Sequence, residues 1–122
     1  MPESSERGAL TEAVYYILLS LTTPLHGYGI MQFVSEISHG RVNLGAGTLY
    51  GAINTLLDKG WICAAHAPES QSSKKSAADK RTKKEYIITE QGKEILLHEI
   101  DRLKELVETG EQILHQEESN ND

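Results

Sequence analysis

Apolar residues recur at helical spacing in three successive segments of the chain, and each segment stops at a helix breaker. The first segment ends near Thr22, ahead of Pro24, and the second begins after Gly27 and stops at Gly40. Steps of three and four residues predict helices with one buried face, and a glycine just past the last apolar position commonly ends a helix. The apolar positions of these two segments are Leu10, Ala13, Val14, Ile17, Leu18 and Leu21, then Tyr28, Met31, Phe33, Val34 and Ile37.

The third segment, Ala46–Lys59, has two chemically different faces. Leucine and isoleucine side chains at helical spacing predict a buried face, and Gly60 predicts the end of the helix. The opposite face carries glycines and side chains that can form hydrogen bonds. The buried set is Leu49, Ile53, Leu56 and Leu57, and the opposite set is Gly47, Tyr50, Gly51, Asn54 and Asp58.

Extended runs at 61–67 and 86–88 flank a long polar loop. The loop is rich in serine and lysine and has no periodicity, which is typical of a loop, whereas Tyr86 and its two isoleucine neighbours favour a strand. Together they predict a hairpin with a long tip. Polar and apolar residues also alternate at 41–44, and this pattern predicts a further short strand.

The last segment has the pattern of one long helix. Thr89 is a suitable N-cap for it, and its apolar stripe steps alternately by four and three residues, widened by Leu106 and Ile113. Because so small a core cannot cover all of this stripe, we predict that it forms the interface of a homodimer. The alternative is that the stripe covers the first helix of the same chain. The predicted interface residues are Leu96, Ile100, Leu103, Val107, Gly110 and Leu114.

The predicted fold is mainly α with a small β-hairpin, because the order helix, helix, helix, hairpin is that of a winged helix-turn-helix. A chain of 122 residues fits one core. We expect a winged-helix domain over 1–89 with its wing at about 61–89, a dimerisation helix over 90–118 and a disordered tail at 119–122.

Charge is distributed unevenly along the chain. The net charge is −6, which by itself argues against a nucleic-acid partner. Residues 69–84 nevertheless hold six basic and two acidic side chains, whereas residues 85–122 hold three basic and eleven acidic ones. DNA responds to a local basic patch, so the loop between the two extended runs is the candidate backbone contact.

These features predict a protein that binds double-stranded DNA. A major groove admits one helix, and the glycines of the third helix would let it approach the bases closely. Thr48 suits either a helix N-cap or a phosphate contact, and the basic loop suits either a solvated surface or phosphate binding. The candidate DNA-binding residues are Gly47, Thr48, Tyr50, Gly51 and Asn54 in the helix and Lys74, Lys75, Lys80, Arg81, Lys83 and Lys84 in the wing.

The sequence resembles the PadR-like family of winged-helix transcriptional regulators over nearly its whole length. The matching stretches are LTEAVYYILLSL, PLHGYGIM, GTLYGAINTLLDKGWI and EYIITEQGK. The resemblance implies a homodimeric repressor of the short subfamily, with one C-terminal dimerisation helix and Tyr50 as a DNA contact. It also implies release by a small lipophilic or aromatic effector near the dimer seam.

Other functional classes find less support in the sequence. No catalytic constellation, metal-ligand spacing or phosphate-binding glycine loop is present, so we expect neither an enzyme, nor a cofactor, nor a metal site. His26 fits a turn and helix start better than a metal site. Without a signal peptide or an apolar run long enough for a bilayer, and with the single Cys63, we expect a cytoplasmic protein without a membrane partner. The alternative function is a docking module for a protein or ligand, although such a module has no need of a basic wing.

Overall fold

The computed structural model describes residues 9–65 and 84–120 of the chain. In these two ranges four helices pack with a small antiparallel sheet, in the order predicted for a winged helix with a long C-terminal helix. The mainly helical fold class is thereby confirmed. The elements are α1 (Glu12–Ser20), β1 (Leu25–His26), α2 (Gly27–Ile37), α3 (Ala46–Lys59), β2 (Ile62–Ala65), β3 (Glu85–Ile88) and α4 (Glu90–Asn120).

Local signals set the helix boundaries. Thr11 caps α1 by accepting a hydrogen bond from the Val14 N–H. His26 caps α2, because its Nδ1 accepts from the Gly29 N–H at 3.2 Å, and its predicted role at a helix start is confirmed. Gly60 ends α3 with a left-handed φ of 79°, which glycine adopts without a steric penalty. Helix α4 continues two residues beyond its predicted end.

Within residues 9–65 and 84–120 the sheet has three strands rather than the two of a hairpin. Strand β3 lies in the middle and pairs with both β1 and β2, with Tyr86 opposite Leu25 on one side and Ala64 on the other. The strand predicted at 41–44 is wrong. That stretch is a loop fixed by side chains, because Ser38 Oγ accepts from the Val42 N–H at 3.0 Å and Asn43 Nδ2 donates to the Gly40 carbonyl at 2.9 Å.

The core lies where the first three helices meet one face of the sheet and the first turns of α4. Burial of the apolar core side chains, at roughly 1.5–3 kcal/mol each, is the main force that holds the helices against the sheet. No helix in the two described ranges combines the length and the apolar character needed to cross a bilayer. The buried core side chains are Ile17, Leu18, Leu21, Ile30, Val34, Leu49, Ile53, Leu56, Trp61, Ile62, Tyr86, Ile88 and Leu96.

Glu99 ties α4 to the start of α1. Its carboxylate is 4% exposed, accepts two hydrogen bonds from Arg102 at 2.7 and 2.8 Å, and accepts a third from the Leu10 N–H at 3.3 Å. The Arg102 hydrogen bonds outweigh burial and hold the pKa of Glu99 below its usual range. A buried carboxylate with three donors therefore fixes the N-terminal segment on the long helix.

Replacing Glu99 by glutamine is expected to lower the free energy of unfolding by about 1–2 kcal/mol at neutral pH, because the ion pair is lost. The pKa of Glu99 is lower in the folded than in the unfolded chain, so its contribution is complete above the unfolded value of about 4.3 and is lost as pH falls through the folded value. Urea unfolding of both proteins at pH 7 and near pH 3 measures the difference. Exposed Glu94→Gln is the control, and an equal deficit at both pH values would contradict the assignment.

Candidate nucleic-acid interface

Helix α3 is held by one face and presents the other to solvent. Leu49, Ile53 and Leu56 are 0–2% exposed, so the helix cannot rotate without opening the core. On the outer face Tyr50 is 45% exposed, and Asn54 is also exposed. The structure thus places the predicted reading residues together on the solvent side of one helix.

The glycines of α3 leave a strip of bare backbone beside these side chains. No heavy atom lies within 4 Å of the position that a Cβ atom would occupy on Gly47 or on Gly51. Both glycines are exposed and lie about one turn apart along the outer face. A flat surface of this kind allows a duplex to come closer than ordinary side chains would permit.

Thr48 is not the N-cap of α3. Gly45 occupies that position, and it offers no side-chain acceptor to the first turn. Thr48 lies inside the first turn with an exposed side chain. Of the two roles open from the sequence, the capping role is therefore wrong, and only the phosphate contact stays a prediction.

The HGY and GTLY motifs meet in the folded chain. The Tyr50 phenol lies on Gly27, where a Cβ atom would overlap the hydroxyl oxygen and lie 2.7 Å from Cζ. Gly27 is buried at the start of α2, so the contact fixes the direction of the Tyr50 ring. Sequence reasoning missed this contact, because 23 positions separate two motifs that each look local.

The wing begins beside α3, and one of its basic residues is described. Lys84 is exposed, and its Nζ lies 5.9 Å from the centroid of the Tyr86 ring. Lys59, the basic residue of α3, has its Nζ 5.2 Å from the centroid of the Trp61 ring. The other candidate wing contacts lie outside the described residues; they are Lys74, Lys75, Lys80, Arg81 and Lys83.

The apolar stripe of α4 is divided between the core and the solvent. Leu96 is 5% exposed within the single chain, so its assignment to a dimer seam is wrong, and it belongs to the core instead. Ile100 is half-buried, and exposure increases from there toward the C-terminus. The exposed apolar residues of this part of α4 are Leu103 at 37%, Leu106 at 56%, Val107 at 57%, Ile113 at 55% and Leu114 at 61%.

A recess of about 280 Å³ lies between α1 and α4. Leu10, Tyr15 and Tyr16 form its α1 side, and Leu103 forms part of its α4 side. Glu12, Glu99 and Arg102 supply its charged lining; Glu99 and Arg102 are hydrogen-bonded to each other, and Glu12 is hydrogen-bonded to Arg41. The recess therefore adjoins the exposed stripe, and its lining combines apolar and aromatic side chains with three charged ones.

Comparison with known proteins places the sequence in one family. The sequence matches the profile of the "Transcriptional regulator PadR-like family" over residues 16–98. Among solved structures, a PadR-like transcription factor from Bacteroides fragilis is similar at 23% identity and a TM-score of 0.61, covering 92% of this chain and 97% of that one.

Two further solved structures share the fold. A PadR family transcriptional regulator from Eggerthella lenta has 22% identity and a TM-score of 0.61, covering 83% of this chain and 80% of that one. F93 from STIV, a winged-helix DNA-binding protein, has 17% identity and a TM-score of 0.57, covering 79% of this chain and 88% of that one. No curated protein matches the sequence. The chain belongs to the PadR-like family and is a winged-helix, DNA-binding transcriptional regulator.

Proposed function

We propose that this protein is a homodimeric repressor that places one α3 helix in each half of a pseudo-palindromic operator and is released by a small molecule. The observation that carries the proposal is the outer face of α3, where exposed Tyr50 and Asn54 stand beside the bare backbone of Gly47 and Gly51. A buried face that fixes the helix and an outer face free of obstruction are what entry into a major groove requires.

The chemistry of the outer face suits base readout supported by backbone contacts. The Asn54 amide can donate to and accept from an adenine edge, and the Tyr50 hydroxyl can do either. Thr48 and Lys84 are exposed, and we expect them to contact phosphates from the helix start and from the wing. Phosphate contacts release counterions, so operator affinity is expected to fall steeply with salt.

The exposed stripe of α4 supports a symmetric dimer. Its apolar side chains are left in solvent by a single chain, and pairing with the same stripe of a second chain would cover them. A two-fold axis would then present two α3 helices to half-sites about one helical turn apart.

The recess between α1 and α4 supports release by an effector. Its apolar and aromatic lining suits a small lipophilic or aromatic compound. Leu103 lines the recess and also belongs to the predicted seam, so a compound bound there can favour one dimer geometry over another.

Three measurements on the unmodified protein test the proposal. Analytical ultracentrifugation is expected to give a dimer at micromolar concentration, and fluorescence anisotropy is expected to show tight binding to an inverted repeat upstream of its gene. A reporter driven by that promoter is expected to be silent while the protein is present. A monomer, or an affinity equal to that for scrambled DNA, would refute the proposal, and activation of the reporter would refute the repressor role.

Gly27→Ala tests the contribution of Tyr50 to binding. The added methyl group would displace the Tyr50 ring, and operator affinity is expected to fall about tenfold, the size of one lost base or backbone contact. Anisotropy titration measures the change. The matched control is Gly29→Ala in the same helix, where the new Cβ would lie 3.3 Å from the flexible Leu25 side chain and 3.8 Å from the His26 ring, and would not meet Tyr50. If the Gly27→Ala and Gly29→Ala proteins bind the operator with equal affinity, the placement of the Tyr50 ring has no role in binding.

A further inference from the structure

The end of α3 and the start of α4 are fastened to each other by Gly60, Trp61, Thr89 and Gly92, which together form the α3–α4 joint. The Thr89 hydroxyl donates to the Gly60 carbonyl at 2.7 Å and accepts from the Gly92 N–H at 3.1 Å. One hydroxyl thus donates a hydrogen bond to the C-cap residue of α3 and accepts one from the first turn of α4.

The backbone of Trp61 makes a second connection between the same two helices. Its N–H donates to the Leu56 carbonyl of α3 at 3.1 Å, and its carbonyl accepts from the Thr89 N–H at 3.0 Å. The Trp61 side chain is buried beside this backbone. Helix termini commonly leave polar groups to solvent, but here each terminus satisfies groups of the other.

The joint is also packed without spare room. A Cβ atom on Gly92 would overlap the Trp61 carbonyl oxygen and lie 2.7 Å from Ile88 Cγ1. Leu96, one turn further along α4, is buried in the same core as Leu56 of α3. Neither sliding nor tilting of one helix against the other is possible without breaking hydrogen bonds or opening the core.

We propose that the α3–α4 joint makes Thr89 a positioning residue that sets the operator half-site spacing accepted by the dimer. This inference rests on the proposed function, because spacing has meaning only for a dimer on two half-sites. If paired α4 helices define the two-fold axis, a rigid joint fixes the distance and rotation between the two α3 helices. One added base pair moves a half-site by about 3.4 Å and turns it by about 35°, and a rigid dimer cannot follow.

Three substitutions at position 89 separate this role from ordinary helix capping. Thr89→Ser keeps both hydrogen bonds. Thr89→Asp keeps an acceptor for the Gly92 N–H, but its carboxylate cannot donate to the Gly60 carbonyl. Thr89→Val keeps neither bond. If Thr89 only caps α4, the Thr89→Asp protein should behave like the Thr89→Ser protein. If Thr89 also holds α3, the Thr89→Asp protein should behave like the Thr89→Val protein.

The readout is the ratio of affinities for the native operator and for one lengthened by a single base pair. Wild type and Thr89→Ser are expected to discriminate at least about tenfold, because a rigid dimer engages only one half-site of the longer operator. Thr89→Asp and Thr89→Val are expected to bind the native operator more weakly and to discriminate less than about threefold, because a looser joint tolerates both spacings. Anisotropy gives both affinities, and sedimentation checks that each variant is a dimer.

The outcomes distinguish this inference from the function on which it rests. A wild-type protein that is monomeric, or that binds no inverted repeat, would overturn both. If the wild-type dimer has a strong spacing preference and the Thr89→Asp protein keeps it unchanged, the role proposed for the α3–α4 joint is overturned, whereas the proposed function is not.

A second measurement needs no variant. Hydrogen exchange on the wild-type protein is expected to show the Trp61 and Thr89 amides protected about as strongly as the core amide of Ile53, although both lie at helix ends. Exchange at the rate of a frayed helix end would overturn the inference even if every position-89 variant failed to fold.

Discussion

Val107→Asp is expected to convert the proposed dimer to a monomer and to weaken operator binding by about 10²–10⁴-fold, the gain that linking two half-site contacts supplies. Val107 is 57% exposed in the single chain and lies in the middle of the exposed stripe of α4. In the proposed dimer its aspartate replacement would lie in an apolar contact between the two stripes, where an unpaired charge is strongly unfavourable. Sedimentation velocity and anisotropy measure the two losses.

Gln112→Asp is the matched control for the dimer interface. It introduces the same side chain into the same helix, but Gln112 lies on the opposite side from Val107 and is also exposed. This control is expected to remain dimeric and to bind the operator as wild type does. A dimeric Val107→Asp protein with normal affinity would show that the stripe does not join the two chains.

Gly92→Ala is expected to reduce the free energy of unfolding by about 3 kcal/mol, the upper part of the range for an overpacked site. The new methyl group would meet the backbone carbonyl of Trp61, which cannot turn aside as a side chain can, and also Ile88 Cγ1. Either the Thr89–Trp61 hydrogen bond or the packing of Leu96 must give way. Urea denaturation followed by circular dichroism gives the difference in free energy.

Gly51→Ala provides the contrast for this measurement. Nothing lies within 4 Å of its Cβ position in the interior of α3, so alanine is expected to stabilise the fold by about 0.5–1 kcal/mol through helix propensity. The same methyl group would obstruct a close approach to DNA. Equal stabilities of the Gly92→Ala and wild-type proteins would contradict the tight packing at the joint.

Features that depend on local spacing could be predicted from the sequence. The order of helices follows from apolar periodicity, the end of α3 from Gly60, and the cap of α4 from Thr89. The outer face of α3 also follows, because a helix with a buried face has a defined opposite face. The strand predicted at 41–44 was wrong because hydrogen bonds made by the Ser38 and Asn43 side chains hold that stretch as a loop. The alternation of polar and apolar residues carries no information about these hydrogen bonds.

Features that depend on distant partners could not be predicted. Leu96 continues the heptad-like stripe perfectly, yet it belongs to the core, because the fold and not the spacing determines where α4 leaves the domain. In the sequence Glu99 is one acidic residue among many in the last segment. Only the fold shows that it is buried and accepts hydrogen bonds from the Leu10 N–H and from Arg102. The donor function of Thr89 likewise has its partner 29 positions earlier in the chain.

The position of Trp61 has an optical consequence. It is the single tryptophan of the chain, it is buried, and it lies between the end of α3 and the start of α4, the helix that carries the exposed stripe. Its indole ring also lies under the Lys59 ammonium group. The protein therefore carries a built-in fluorophore whose emission reports on this junction, so a titration with DNA or with a candidate effector needs no attached dye.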